Sequence, residues 1–362
     1  MTWRVGLVGV GGFAQQAYLP ALRSLNDVEV TLLCGRSRDR IESVKHDWSL
    51  NARVEEGPDG LAKALDEDAA DAVVVVVPDR FHAEMVQPVL AAGRHVLCEK
   101  PITTDAASAR LLRDLASATS VVSMMSFTYR YTLALQQARQ LIEDGAIGEV
   151  AAVRVELHWG GGGPLGWRED GQVSPGGIWF DGGSHMVDTV GVLVGGMRAT
   201  RVFTSTVTRA DGARPTNPDV VAVAAEVERG SHWFKLAHRT SGREPDAAVA
   251  ISGLLSRLDR ITGDQVIVVG SEGALNFSLG RGQVEWLDLW RIGGERQRLL
   301  TVQGDDYAPG TPPPAVARMV QAWRDSLDRR ALSDWDAGFD VGCAVQEVLS
   351  AQISESGRPT ST

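Results

Sequence analysis

Cysteine, lysine and long apolar runs are all scarce in this chain of 362 residues. The three cysteines, Cys34, Cys98 and Cys343, are odd in number and far apart, which fits neither a disulfide framework nor a zinc ligand pattern. They read as reduced, buried thiols. Lysine occurs only at Lys45, Lys63, Lys100 and Lys235, so nearly all of the 36 Lys plus Arg are arginine. Where lysine does stand, the position points to a need for a compact ammonium instead of a guanidinium fork. The longest aliphatic run, Ala72 to Val77, falls far short of the ~20 residues of a membrane-spanning helix. The first residues, Met1 to Val5, enter a strand-like pattern with no signal-peptide apolar region, so a cytoplasmic protein with no membrane partner is expected. Cations are also outnumbered by 46 Asp plus Glu, for a net charge of -10. An acidic surface opposes phosphate contacts, and no nucleic-acid partner is expected.

What is present is the balance of a globular protein, 44% hydrophobic and 23% charged, at a length that favours two domains. The first ~125 residues alternate short apolar runs with helical patterns, the signature of a parallel α/β sheet. Strands are expected at Val5–Val8, Val28–Leu33, Ala72–Val77, His95–Cys98 and Val121–Met125, with helices at Ala83–Ala92 and Thr104–Ser117. Beyond that the pattern changes. A helix is expected over Leu133–Asp144, an alternating strand over Val153–Trp159, a glycine-rich loop at Gly160–Pro164 and a helix near Asp181–Leu193. Further strands are expected at Arg201–Thr208, Val220–Glu228, His232–Ala237, Gln265–Val269 and Ala274–Leu279, followed by helices over 315–330 and Phe339–Ser350. The expected fold class is thus α/β joined to α+β: residues 1–125 a doubly wound parallel sheet, 126–353 a mostly antiparallel open sheet with helices, and 354–362 a flexible tail.

Gly9-Val10-Gly11-Gly12-Phe13-Ala14 is a G-x-G-x-x-A loop directly after the first strand and before a helix. The first glycine permits a tight turn, the second lets the backbone approach a pyrophosphate, and the small Ala14 lets helix and strand pack closely. The helix N-terminus attracts the phosphates, so this is the mark of a Rossmann dinucleotide site. At the end of the second strand, Gly35-Arg36-Ser37-Arg38 carries no acid before Asp39. Two arginines and a serine suit a 2′-phosphate better than a ribose diol, which favours NADP over NAD. Solvated arginines beside NAD are the bland alternative.

Cys98-Glu99-Lys100-Pro101 ends another strand, at the edge where open α/β sheets bind ligands. With the glycine loop, this Glu-Lys-Pro segment resembles the Gfo/Idh/MocA family of glucose–fructose oxidoreductases and inositol dehydrogenases. Val77-Pro78-Asp79-Arg80-Phe81-His82 resembles the family's Pro-x-x-x-His turn beside the cofactor. Asp181-Gly182-Gly183-Ser184-His185 resembles its Asp-x-x-x-His segment. The resemblance implies an NAD(P)-dependent oxidoreductase acting on a hydroxyl or ketone of a sugar, amino sugar or cyclitol, in a homodimer or homotetramer.

By that resemblance, Val77, Pro78, His82, Glu99, Lys100 and Arg168 join the glycine loop and residues 35–38 in holding the cofactor. Tyr129, Arg130, Trp167, Lys100, Asp181 and His185 line the substrate cleft. Asp181 and His185, spaced i,i+4, share one helix face if the helix has begun by Asp181. His185 is then the general base in oxidation or acid in reduction, since an ordinary histidine pKa of about 6.5 suits both directions. Asp181 orients it, and the Lys100 ammonium eases deprotonation of the alcohol. The plain alternative makes Asp181 an N-cap and His185 a packed helix residue. A metal on Asp181, His185 and Asp188 lacks a third soft ligand, and none is expected. Two other readings stay open: a glycoside-cleaving enzyme that oxidises transiently with retained NAD, and a catalytically silent cofactor-binding regulator. The arginine bias hints at a GC-rich bacterium and its secondary metabolism.

Overall fold

The computed structural model describes residues 2–159, 170–195, 198–205, 217–226, 249–257, 262–280, 284–302 and 310–353. The chain divides into two compact units, Met1–Thr128 with Tyr307–Cys343 and Tyr129–Asp306 with Ala344–Thr362. The expected strand His232–Ala237, the loop Gly160–Pro164 and the tail 354–362 lie outside the described residues.

The first unit is built on six parallel strands: β1 (Trp3–Val8), β2 (Val28–Gly35), β3 (Arg53–Glu56), β4 (Ala72–Val75), β5 (His95–Cys98) and β6 (Ser123–Met125). Their order is β3-β2-β1-β4-β5-β6, so the direction of winding reverses between β1 and β4. Both β4 and β5 are buried at every residue, as strands covered on two faces must be. β3 escapes the sequence pattern because its four residues, Arg-Val-Glu-Glu, are polar but for Val54. The helical connections include α1 (Leu19–Arg23), α2 (Arg38–Asp47), α3 (Gly57–Asp66), α4 (His82–Ala91) and α5 (Ala106–Ser117). A π-helical turn, Ala14–Tyr18, leads into α1. It sits just ahead of Pro20, whose ring offers no N–H and crowds the carbonyl four residues back, so the wider turn accommodates it. Asp105 starts α5 by accepting a hydrogen bond from the Ser108 N–H at 2.8 Å.

The second unit carries α6 (Leu133–Glu143), β7 (Val150–Trp159), α7 (Ile178–Val194), β8 (Arg198–Ser205), β9 (Val220–Glu226), β10 (Ala250–Ser256), β11 (Thr262–Gly270), β12 (Gly273–Phe277), β13 (Glu285–Arg291) and β14 (Gln297–Val302). The eight strands run β14-β13-β12-β11-β7-β10-β9-β8. Only β7 and β10 pair in parallel; every other pair is antiparallel. α7 is buried along almost its whole length and packs on β7, β9 and β10. Strands β10, β13 and β14 were not expected: Gly253 interrupts the first, and charges break the alternation of the other two.

The last two helices are α8 (Pro314–Arg329) and α9 (Phe339–Ile353). Residues 307–343 belong with the first unit, where the linear division places them in the second domain. α8 packs on α1, and the Met125 N–H donates to Ala337 O at 2.8 Å, extending the hydrogen bonding at the β6 edge. Such a return of the chain leaves no mark in local composition. No helix among the described residues is long and apolar enough to cross a membrane.

Candidate functional site

In an open α/β sheet ligands gather at the carboxyl ends of the strands where winding reverses, here after β1 and β4. The turn after β1 is shaped by Gly9, at φ +96°, where an added Cβ would stand 2.4 Å from Val76 O. Only glycine adopts that backbone so close to the turn after β4. Gly11 and Gly12 differ: neither has positive φ, and a Cβ on either would meet nothing within 4 Å. The protein's own packing therefore does not require glycine there, while a pyrophosphate approaching the backbone would. Ala14 is fully buried and Phe13 exposed, its ring edge-on to Tyr18 with centroids 5.7 Å apart. The Gln15 side chain donates to Val10 O at 3.1 Å and steadies the loop. The glycine loop thus fits a dinucleotide phosphate.

At the end of β2, Gly35 is buried, with room for no more than contact against Ile41 at 3.4 Å. Arg36, Ser37 and Arg38 are exposed, and Ser37 is the N-cap of α2. Glu56, at the end of β3 and in register with Gly35, accepts a hydrogen bond from the Arg38 N–H at 2.8 Å. Its second oxygen lies 3.5 Å from Arg38 Nε. Arg36 makes no ion pair among the described residues. Glu56 was missed because only the β2–β3 register brings it here.

The segments after β4 and β5 are joined by buried polar side chains. The His82 ring is fully buried, with Nδ1 2.7 Å from Pro101 O and Nε2 2.9 Å from Val77 O. His82, expected beside the cofactor, clips two turns together, with each ring nitrogen facing a carbonyl oxygen. Val77 and Pro78 form one of the clipped turns, and both remain half-buried at the edge. Glu99 is likewise buried: Oε1 takes the Tyr18 hydroxyl at 2.5 Å, Oε2 the Lys100 N–H at 3.0 Å. Tyr18 also bridges to Ser126 Oγ at 2.7 Å. Burial pushes the Glu99 carboxyl above its ordinary range, opposed by the Lys100 ammonium and the Tyr18 hydroxyl. Glu99 therefore holds the Lys100 backbone and the Tyr18 hydroxyl. Lys100 itself is half-buried. Tyr18 was missed, since nothing local marks a helix tyrosine as the partner of a residue far along the chain.

In the second unit α7 begins at Ile178 with Gly177 as N-cap. Asp181 is thus inside the first turn, not a cap, and shares a face with His185. The His185 imidazole is buried against the Tyr129 ring, with centroids 4.3 Å apart and planes 30° apart. Trp159 meets it edge-on at 6.2 Å. The Tyr129 hydroxyl donates to Asp264 Oδ2 at 2.5 Å, which fixes the ring that His185 stacks on. Arg130, expected among substrate contacts, is buried in an ion pair with Asp188 at 2.6 Å. Its Nε lies 3.0 Å from both carboxylate oxygens, so the guanidinium serves the core of the unit. Trp167 and Arg168 lie outside the described residues.

Two family models match the chain. Residues 3–127 match the oxidoreductase family with an NAD-binding Rossmann fold, and residues 135–276 match the GFO/IDH/MocA C-terminal domain. Among curated proteins, a dTDP-3,4-didehydro-2,6-dideoxy-alpha-D-glucose 3-reductase of Actinomadura kijaniata is 33% identical over 147 residues, covering 41% of this chain and 43% of the relative. A D-glucoside 3-dehydrogenase of Escherichia coli is 29% identical over 194 residues, 53% of this chain and 54% of the relative. The chain thus spans about half the length of the curated relatives it matches. Among solved structures, a levoglucosan dehydrogenase in complex with NADH and levoglucosan superposes with a TM-score of 0.79 at 19% identity, over 98% of this chain and 97% of the other. A 3-ketoreductase from Actinomadura kijaniata, in complex with NADP and TDP-benzene, gives 0.76 at 19% identity over 98% of each chain.

Proposed function

The chain belongs to the Gfo/Idh/MocA oxidoreductase family, and on that premise we propose that it moves hydride between NAD(P) and a ring carbon of a sugar, as a dehydrogenase or ketoreductase. The observation that carries this reading is the glycine turn between β1 and β4, closed to any side chain at Gly9 and open to a ligand at Gly11 and Gly12. The dinucleotide, when bound, supplies the hydride acceptor or donor. The chain must then handle the proton and the negative charge on oxygen. His185 takes the hydroxyl proton in oxidation and returns it in reduction, its ring plane held by Tyr129. Asp181, one turn earlier on α7, orients it. Lys100 stabilises the alkoxide with its ammonium, on a backbone that Glu99 holds. The relatives' names point to carbon 3 of a glucose-type ring as the reacting position.

The test is a panel of glucosides, their 3-keto forms, nucleotide-linked deoxysugars and inositols, read at 340 nm with each dinucleotide. Reduction of NAD(P) by one sugar class, or oxidation of NAD(P)H by its ketone, supports the reading. Failure of both dinucleotides to bind at millimolar concentration overturns it. Lys100→Ala and His185→Ala should each lower turnover at least ~100-fold while leaving dinucleotide affinity within about threefold. Unchanged turnover in either variant removes that residue from the proton and alkoxide roles.

A further inference from the structure

The two dinucleotides differ at one place, a 2′-hydroxyl in NAD and a 2′-phosphate in NADP, and the end of β2 is where that group is met. With Arg36 and Arg38 and no acid, the β2 end by itself favours the phosphate. The adjoining strand changes the balance. Glu56 ends β3 opposite Gly35, accepts the first N–H of α2 from Arg38 at 2.8 Å and faces the Arg38 guanidinium at 3.5 Å.

We propose that Glu56 sets the choice of dinucleotide: it places a carboxylate on the N–H and guanidinium of Arg38 that a 2′-phosphate would use. The inference rests on the reading of this crevice as an NAD(P) site. An anion at the start of a helix is favourable once, and a second anion beside the first is repelled. Arg36, by contrast, keeps its guanidinium clear of a carboxylate among the described residues. A ribose hydroxyl meets no such conflict, since it donates to a carboxylate as readily as water does. The acid missing from β2 is therefore supplied by the neighbouring strand, and it acts against the arginines beside it.

The experiment compares binding of NADH and NADPH to the full chain and to Glu56→Gln, by nicotinamide fluorescence or calorimetry at fixed ionic strength. Gln keeps the shape and removes the charge. The ratio Kd(NADPH)/Kd(NADH) should fall about tenfold in Glu56→Gln, the scale of one close like-charge pair in a partly solvated site. Arg36→Ala placed on top of Glu56→Gln should return most of that gain, by weakening NADPH alone. A ratio unchanged by Glu56→Gln, or one that rises, overturns the role of Glu56 and leaves the proposed activity standing. Absence of binding for both dinucleotides in the unaltered chain overturns the activity and this inference together.

Discussion

In the six-stranded sheet β4 and β5 present no residue to solvent, whereas β7, inside the eight-stranded sheet, alternates between Val153, Val155 and Leu157 in the core and exposed or half-exposed residues between them. The first pattern is that of a parallel sheet clad on both faces. The second belongs to a sheet with one face in the core. The contrast bears on where polar chemistry can sit. A buried parallel strand has no polar side of its own, so the first unit places polar side chains at or beyond the strand ends, as with Glu56, His82 and Glu99. In the second unit the helix laid on the buried face supplies them, as α7 does with Asp181, His185 and Asp188.

The contrast between the two sheets is tested most severely at the strand ends. Gly9→Ala should destabilise the first unit by about 3–5 kcal/mol, from backbone strain plus a collision with Val76 O. Gly12→Ala, in open space, should leave stability within about 0.5 kcal/mol and weaken only dinucleotide binding. Denaturant titration of both variants checks this, and equal losses would mean that the loop is packed for itself and not for a ligand. Next in size, Val74→Thr in β4 should cost about 1–3 kcal/mol for an unsatisfied hydroxyl. Arg154→Thr on β7, where Arg154 is exposed and pairs with Glu156, should stay within about 0.5 kcal/mol. Hydrogen exchange at the amides of each strand reads the two units separately, and a large loss at Arg154 would refute a solvated face.

The smallest expected effect is in pH. The Glu99 carboxyl is raised in the folded state, so its stabilising contribution is complete below the unfolded carboxyl pKa of about 4.3. It is lost as pH rises through the folded value. Glu99→Gln should therefore gain stability relative to the unaltered chain as pH rises above the unfolded carboxyl value. A difference that stays flat with pH would show that Glu99 is ionised without penalty.

The sequence determined a good deal unaided. A glycine turn after the first strand and strict alternation in 153–159 are local patterns, and each corresponds to local backbone geometry that the structure bears; the run of five valines outlasts β4, which ends at Val75 and leaves Val76 and Val77 half-buried beyond it. Strands β3, β13 and β14 were hidden because short or charged segments pair only when neighbours hold them, and β10 because Gly253 interrupts its pattern. Side-chain partnerships were the least legible. Nothing in Val77-Pro78-Asp79-Arg80-Phe81-His82 says that the imidazole will lie between two carbonyls, nor in Arg130 that Asp188 will claim it. Residue identity and spacing fix which turns and faces a segment can form. Which polar groups meet, and so which are spent inside the fold and which are left at the crevice edge, is decided by strand register and by the chain's return at residues 307–343. These bring together groups far apart in sequence, and a buried polar atom must be satisfied by whatever arrives beside it.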